Sequence, residues 1–326
     1  MSDNRPDAVQ GAPEPLPHAG IELHDPSMYD KSYSQGQLVR RRFFRHKGAI
    51  AGFIVLLGIA VLAFTSIGIG PLPGWWDKSF TATGAVIDGG RPTIGFFHLG
   101  EHPFGQDQTG RDYFALVMRG TQISLIIAFV VGIGSTIIGT IIGAVAGYFR
   151  GWAESVLMRM TDLFIIIPLL VMAAVLGSIA GDSGIFVLAL VLALVTWTSL
   201  ARLVRGEVLS LREREFVSAS RAVGTGNWRI IFRHILPNTV GVIIVATTFA
   251  IASAILLETS LSYLGFGVQA PDVSLGSLIS QYQTAFTSRP WLFWFPGLFI
   301  LAIALSVNFI GDGLRDAFDP RQGKEG

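Results

Sequence analysis

The chain has 326 residues, 51% of them hydrophobic and only 14% charged, with a net charge of +1 and a mean hydropathy of +0.54. That balance excludes an ordinary soluble domain and points to a polytopic helical membrane protein. Cysteine is absent, which excludes disulfides, thiolate metal sites and cysteine nucleophiles.

Residues 1–37 are rich in Pro, Asp, Gly and Ser and lack apolar periodicity, so they read as a disordered cytoplasmic tail. They are not a secretory signal, which would place a basic cluster and an apolar run at the very start. Arg40, Arg41, Arg42, Arg45, His46 and Lys47 follow, directly before the first apolar run. A positive flank explains that cluster by position alone, without nucleic-acid or lipid-specific binding.

Six apolar segments reach the roughly 17–25 residues that a bilayer core demands. They are Ala49–Ile69, Gln122–Tyr148, Leu163–Ala180, Gly184–Leu203, Thr239–Leu257 and Trp291–Ile310. All but five of the 24 Lys and Arg residues then fall on one side; the five are Lys78, Arg91, Arg111, Arg119 and Arg289. Both termini are therefore expected in the cytoplasm. The expected division is a tail (1–37), a membrane-entering segment with the first span (38–70) and an extracytoplasmic loop (71–119). A five-helix core (120–312) with a cytoplasmic loop (204–237) and a C-terminal tail (313–326) complete it.

In the external loop, Trp75-Trp76 is expected at the membrane interface, and Thr109–Met118 as a short amphipathic helix on the outer surface. His98-Leu99-Gly100-Glu101-His102 fits the metalloprotease pattern H-x-x-E-H. That chemistry needs a real helix and a further ligand, whereas Gly100 lies inside the candidate turn and Pro103 follows, so a loop is the better reading. Gly139, Gly143 and Gly147 share one face of the second span, which suits close helix packing and leaves a conduit wall as the alternative. Pro168 predicts a kink in the third.

Between the fourth and fifth spans stands an Arg-rich island, LREREFVSASRAVGTGNWRIIFRHILPN, Leu211 to Asn238. Phe216, Val217, Ala219 and Ser220 begin a helix whose small apolar face Ala222 and Val223 continue. Gly224-Thr225-Gly226 breaks it, because glycine takes positive φ at no steric cost. Asn227 is the expected N-cap of a second helix, with Trp228, Ile231, Phe232 and Ile235 at i, i+3, i+4, i+7. Pro237 is expected to mark a boundary before apolar sequence resumes. A short helical hairpin at the mouth of a membrane bundle suits a partner's groove.

Glu258, at the outer end of the fifth span, is the main ionisable group within the spans; it either faces a translocation path or caps a helix end. No G-x-x-x-x-G-K-[ST] appears, so any ATP that powers transport is bound by another subunit. Gly132-Ile133-Gly134 lacks the third glycine of a dinucleotide fingerprint.

The island resembles the EAA loop of ATP-binding-cassette importer permeases, a Glu-Ala-Ala triplet, a Gly four positions later, then Ile-x-Leu-Pro. Ser218-Ala219-Ser220 stands at the triplet, Gly224 matches, and His234-Ile235-Leu236-Pro237 stands at the closing motif. Ser218, Ser220 and His234 depart from the pattern, and Ser218 removes a carboxylate that a salt bridge to the ATPase would use. Three further stretches resemble the C-type subunit of the dipeptide/oligopeptide/nickel permeases. They are SQGQLVRRRFFRHKGAIAGFIVLL, then HPFGQDQTGRDYFALVMRGTQISL with Gly105, Asp107, Gly110, Arg111 and Asp112 in place, and the final third. In that third, Glu258, Leu261, Gly265, Gly267, Pro271, Gly276, Gly311-Asp312-Gly313-Leu314-Arg315-Asp316 and Asp319-Pro320-Arg321 stand at recurrent positions. The likeness covers nearly everything from Ser34 onward, with a long first loop between Pro71 and Leu99.

The resemblance implies an all-α polytopic membrane protein with the six transmembrane helices of the type I importer permease (MetI-like) fold, in a bacterial cell (inner/plasma) membrane. It implies a pore shared with a B-type permease homologue, two ATPase subunits or a fused pair carrying ATP and Mg, and an extracytoplasmic solute-binding protein. The chain itself would bind no cofactor, catalyse no reaction and meet lipid rather than nucleic acid. Ser218, Ala219, Ser220, Arg221, Ala222, Gly224, Thr225, Gly226, Asn227, Leu236 and Pro237 are the residues it assigns to ATPase coupling. Peptides are the expected cargo, and nickel or another small solute the alternative. An ion-coupled secondary transporter is disfavoured by the scarcity of charge within the spans.

Overall fold

The computed structural model describes residues 35–95, 99–180 and 183–319. Among these, four helices are long and apolar enough to cross a membrane, and six spans result if each of two bent pairs counts as one. The order is α1 (Gln35–Phe43), α2 (Lys47–Ser66), a two-residue hairpin of β1 (Gly68–Ile69) and β2 (Leu72–Pro73), and α3 (Tyr113–Phe149). Then come α4 (Gly151–Ile166), α5 (Leu169–Ala180), α6 (Ile185–Thr196), α7 (Thr198–Arg212), α8 (Glu215–Ala222) and α9 (Asn227–Ile230). A π turn over Ile231–Ile235 joins α9 to α10 (Leu236–Tyr263), and α11 (Leu275–Tyr282) and α12 (Trp291–Phe318) finish the chain.

The third and fourth expected spans are both broken. Pro168 separates α4 from α5 with an 87° bend, because proline supplies no N–H and forces Ile167 into extended backbone. The 47° bend between α6 and α7 falls at Trp197, which no local pattern marks. There, side-chain donors serve the carbonyls of the helix end: Thr196 Oγ1 donates to Leu192 O at 2.9 Å and Trp197 Nε1 to Leu194 O at 2.9 Å.

Helix α3 is the spine. A Cβ at Gly139, Gly143 or Gly147 would lie 2.8, 2.5 or 2.8 Å from the carbonyl oxygens of Trp197, which caps α7, and of Ala201 and Arg205 on α7. The glycine stripe thus lets two backbones meet, the packing reading of its spacing. Helix α7 is tied in turn to α4 by the Arg205–Glu154 pair and by Arg202 Nη2 to Asp162 Oδ1 at 2.6 Å. At the chain's start, His46 caps α2 by accepting from Ala49 N (3.0 Å), while Arg42 donates to Asp319 O (2.9 Å) at the end of α12.

Several expected boundaries shift. Gln35–Gln37, assigned to the tail, are already helical, and Gly313–Phe318 belong to α12 rather than to a C-terminal tail. Asp319 apart, the remainder of both tails lies outside the described residues, as does His98 of the H-x-x-E-H match. Tyr113–Met118 is not a separate surface helix: it is the buried first turn and a half of α3, N-capped by Asp112. The reason is the long loop folding over it. Trp76 donates to Asp112 Oδ1 (3.1 Å) and packs on Phe114, so of the two tryptophans only Trp75 remains half exposed. His102 contacts Asp112 Oδ2 through Nδ1 (2.8 Å) and Lys78 Nζ through Nε2 (3.3 Å), which engages both ring nitrogens.

Candidate coupling hairpin and transmembrane cavity

Helix α8 ends in a Schellman motif. Gly224 N donates to Arg221 O (2.9 Å) and Thr225 N to Ser220 O (3.1 Å), with Gly224 at φ +79°. The turn therefore needs glycine at this position. Asn227, expected as an N-cap, is instead the first helical residue after an extended Gly226, and its Oδ1 accepts from Tyr148 Oη on α3 at 2.9 Å. Tyr148 is the joint of the hairpin. Arg212 at the end of α7 and Arg221 in α8 lie 5.7 and 5.3 Å from its ring centroid, and Arg212 also donates to its carbonyl (2.6 Å). Beneath, Val217, Ile230, Ile231 and Ile235 form a small buried core with Tyr148 and Val208.

The expected buried face of the second helix holds only in half. Ile231 and Ile235 are buried, but Trp228 and Phe232 are 56% and 58% exposed, stacked on each other beside Phe149. Ile230 turns inward in their place. Pro237 ends nothing: it sits near the start of α10 within a helix that is continuous from Asn227 to Tyr263. The π turn preceding it absorbs the missing N–H, which would otherwise break the α ladder.

Ser218, Ala219, Arg221, Ala222, Gly224, Gly226 and Asn227 are exposed, Ser220, Thr225 and Leu236 half-buried, and Pro237 exposed. Val223, at the tip, is 81% exposed. The eight residues of α8 thus present a small, mostly uncharged face on a rigidly seated turn.

A cavity of about 800 Å³ runs beside α10 from Gly241 to Leu257, roughly 24 Å along the helix. Its walls are apolar, with hydroxyls of Ser135, Thr196, Ser199 and Ser253, and with Arg315 and Asp319 at the hairpin end. Glu258 does not line it. The side chain is fully buried on the opposite face of α10, where Ser262 Oγ (2.7 Å) and Ser124 Oγ (3.1 Å) donate to its carboxylate. It also lies more than a turn inside α10, so it is not an end cap.

At the far end of the bundle Asp107 organises the loop. It accepts from Thr109 N and Oγ1 (both 2.8 Å), from Arg111 N (2.9 Å) and Nε (2.7 Å), and from Tyr282 Oη (2.8 Å). Burial alone would push this carboxyl up, but the hydrogen bonds from Arg111, Tyr282 and Thr109 outweigh it and hold the group below its ordinary value. Burial and then the Asp107 charge push the Tyr282 phenol the other way, well above its usual range.

Residues 139–324 match the family profile of the binding-protein-dependent transport system inner membrane component, and residues 34–74 that of the N-terminal TM domain of oligopeptide transport permease C. A putative peptide permease protein of Brucella ovis is 40% identical over 294 residues, 88% of this chain and 92% of the relative. The oligopeptide transport system permease protein OppC of Mycobacterium tuberculosis is 38% identical over 288 residues, covering 88% and 95%. Its Haemophilus influenzae namesake is 36% identical over 285 residues, covering 87% and 88%. Among solved structures, the MetNI methionine ABC transporter in inward facing conformations matches with a TM-score of 0.51 and 20% identity, over 63% of this chain and 96% of that one. At that identity the likeness speaks for the fold alone.

Proposed function

Because the chain belongs to the inner membrane components of binding-protein-dependent transport systems, we propose that it forms half of a peptide-importing pore and is driven by an ATPase docked on residues 215–227. It is a permease subunit of an ATP-binding-cassette importer and leaves ATP hydrolysis to other subunits. Peptide cargo is carried over from the names of the relatives. The other half of the pore is a B-type permease homologue; two ATPases, separate or fused, carry ATP and Mg, and a solute-binding protein delivers cargo from outside. The hairpin and both chain ends face the cytoplasm, as the bias of Lys and Arg favours.

One observation carries this reading: the exposed turn at Gly224 is clamped to α3 through Tyr148 and runs unbroken into the helix that lines the cavity. Closure of the two ATPases displaces Ser218–Asn227, α10 follows, and the cavity exchanges its opening to the hairpin side for one to the outside. With Ser218 in place of a carboxylate, docking rests on the small face of Ala219, Ala222 and Val223 and on Arg221. The test is Gly224→Pro in the reconstituted importer. Proline cannot adopt φ +79°, so ATP hydrolysis is expected to continue while uptake is lost and membrane insertion stays intact. Normal uptake by this variant sinks the assignment of the turn.

A further inference from the structure

We propose that residues 264–274 close the outward end of the cavity, and that Glu258 is the positioning residue of a two-point latch that holds them shut. The inference rests on reading the cavity as the cargo path. The cavity's last wall residue on α10 is Leu257. One residue on, Glu258 turns away from the cavity and accepts hydrogen bonds from Ser262 on its own helix and Ser124 on α3.

Both hydroxyls also receive backbone N–H groups from the connection between α10 and α11. Val268 N donates to Ser262 Oγ (3.1 Å) and Leu275 N to Ser124 Oγ (3.2 Å), while Ser274 Oγ donates to Ser262 Oγ (3.1 Å). Ser262 Oγ thus accepts from two sides while its own proton is donated to Glu258 Oε1. The carboxylate thus sets the direction of the cluster that grips the connection near Val268 and again at Ser274 and Leu275. Between those grips, Asp272 Oδ1 accepts from Arg119 Nη2 at 2.6 Å, and Arg119 lies over the Phe80 ring.

The connection lies across the helices just past the point where the cavity stops. Phe266 O is 2.6 Å from where a Cβ on Gly177 of α5 would stand, and Val268–Asp272 share a small cavity with Gly184, Ile185 and Leu188. Gly177 is eight residues, about 12 Å of helix, beyond Leu169, the α5 residue in the cavity wall. A fully satisfied buried polar cluster is made or broken as a unit, and a half-exposed ion pair beside it is the part that can let go first.

The cysteine-free chain permits a direct test. Leu257→Cys is introduced into the complete importer in proteoliposomes, and a membrane-impermeant maleimide is added from one side or the other without nucleotide. The Leu257→Cys chain without further changes is expected to label from the hairpin side only. Asp272→Asn should raise outward labelling by up to about fivefold, roughly what loss of one such contact gives, and Glu258→Gln should raise it further. The swap of Arg119→Asp with Asp272→Arg should return it toward the parent. Unchanged outward labelling in both single variants, with hairpin-side labelling intact, overturns the latch and leaves the path reading standing. A cysteine unreachable from either side overturns both.

Discussion

Replacing Tyr148 first by Phe and then by Ala separates two contributions of its side chain to the seat of the hairpin. Tyr148→Phe removes only the hydrogen bond to Asn227, about 1 kcal/mol, or roughly a fivefold increase in the population of an unseated hairpin. Tyr148→Ala also removes a ring that is 4% exposed and lies beside Arg212 and Arg221. Loss of a buried aromatic side chain costs about 3–5 kcal/mol, which includes about 0.5–1 kcal/mol for each cation–π contact. That amounts to at least two orders of magnitude in the same population. Amide exchange across residues 217–225, measured in the assembled importer in lipid, should rise in those proportions. Cargo moved per ATP should fall slightly for the first variant and almost to nothing for the second. If the alanine variant exchanges like the parent, the hairpin is not held through this residue, and the transmission argued above fails.

Gly143→Leu places carbon against the Ala201 carbonyl, an overpacking of about 1–3 kcal/mol. It should lower the midpoint of thermal unfolding in detergent, whereas Gly58→Leu, at a position with open space around its missing Cβ, should not. The depressed acidity of Asp107 has a defined sign. A carboxyl whose folded pKa lies below its unfolded value of about 3.8 adds stability above that value and loses it as pH falls through the folded one. Order in residues 99–112, followed by limited proteolysis, should hold down to about pH 4 and then decline. Asp107→Asn should be weaker above about pH 4, converge with the parent in stronger acid, and so show a shallower decline on acidification.

The spans were legible because twenty apolar residues in a row have few other fates, and Pro168 announced its own break. Trp197 did not, because a bend made by side chains taking carbonyls leaves no mark on hydropathy. In the hairpin, the turn at Gly224 follows from residue chemistry alone, and so do the burial of Ile231 and Ile235. The exchange of Trp228 for Ile230 does not, since helical periodicity assumes a pitch that the π turn alters. Tyr148 was hidden for another reason: it reads as the last residue of an apolar span, and its partners stand 64 to 79 positions away. The fate of Trp76 was concealed likewise, by a fold of the long loop that only the position of Asp112 reveals.

The unbroken helix from Asn227 to Tyr263 counts 37 residues, a rod of about 55 Å. A tilt of only about 5° around its middle would swing each tip by roughly 2 Å over such a length. That is enough to part the grip at Ser262 while the opposite tip follows a docked motor. One stiff lever would then spare the importer any relay of small side-chain shifts across the bilayer, and a single hinge near its centre would disconnect the two ends.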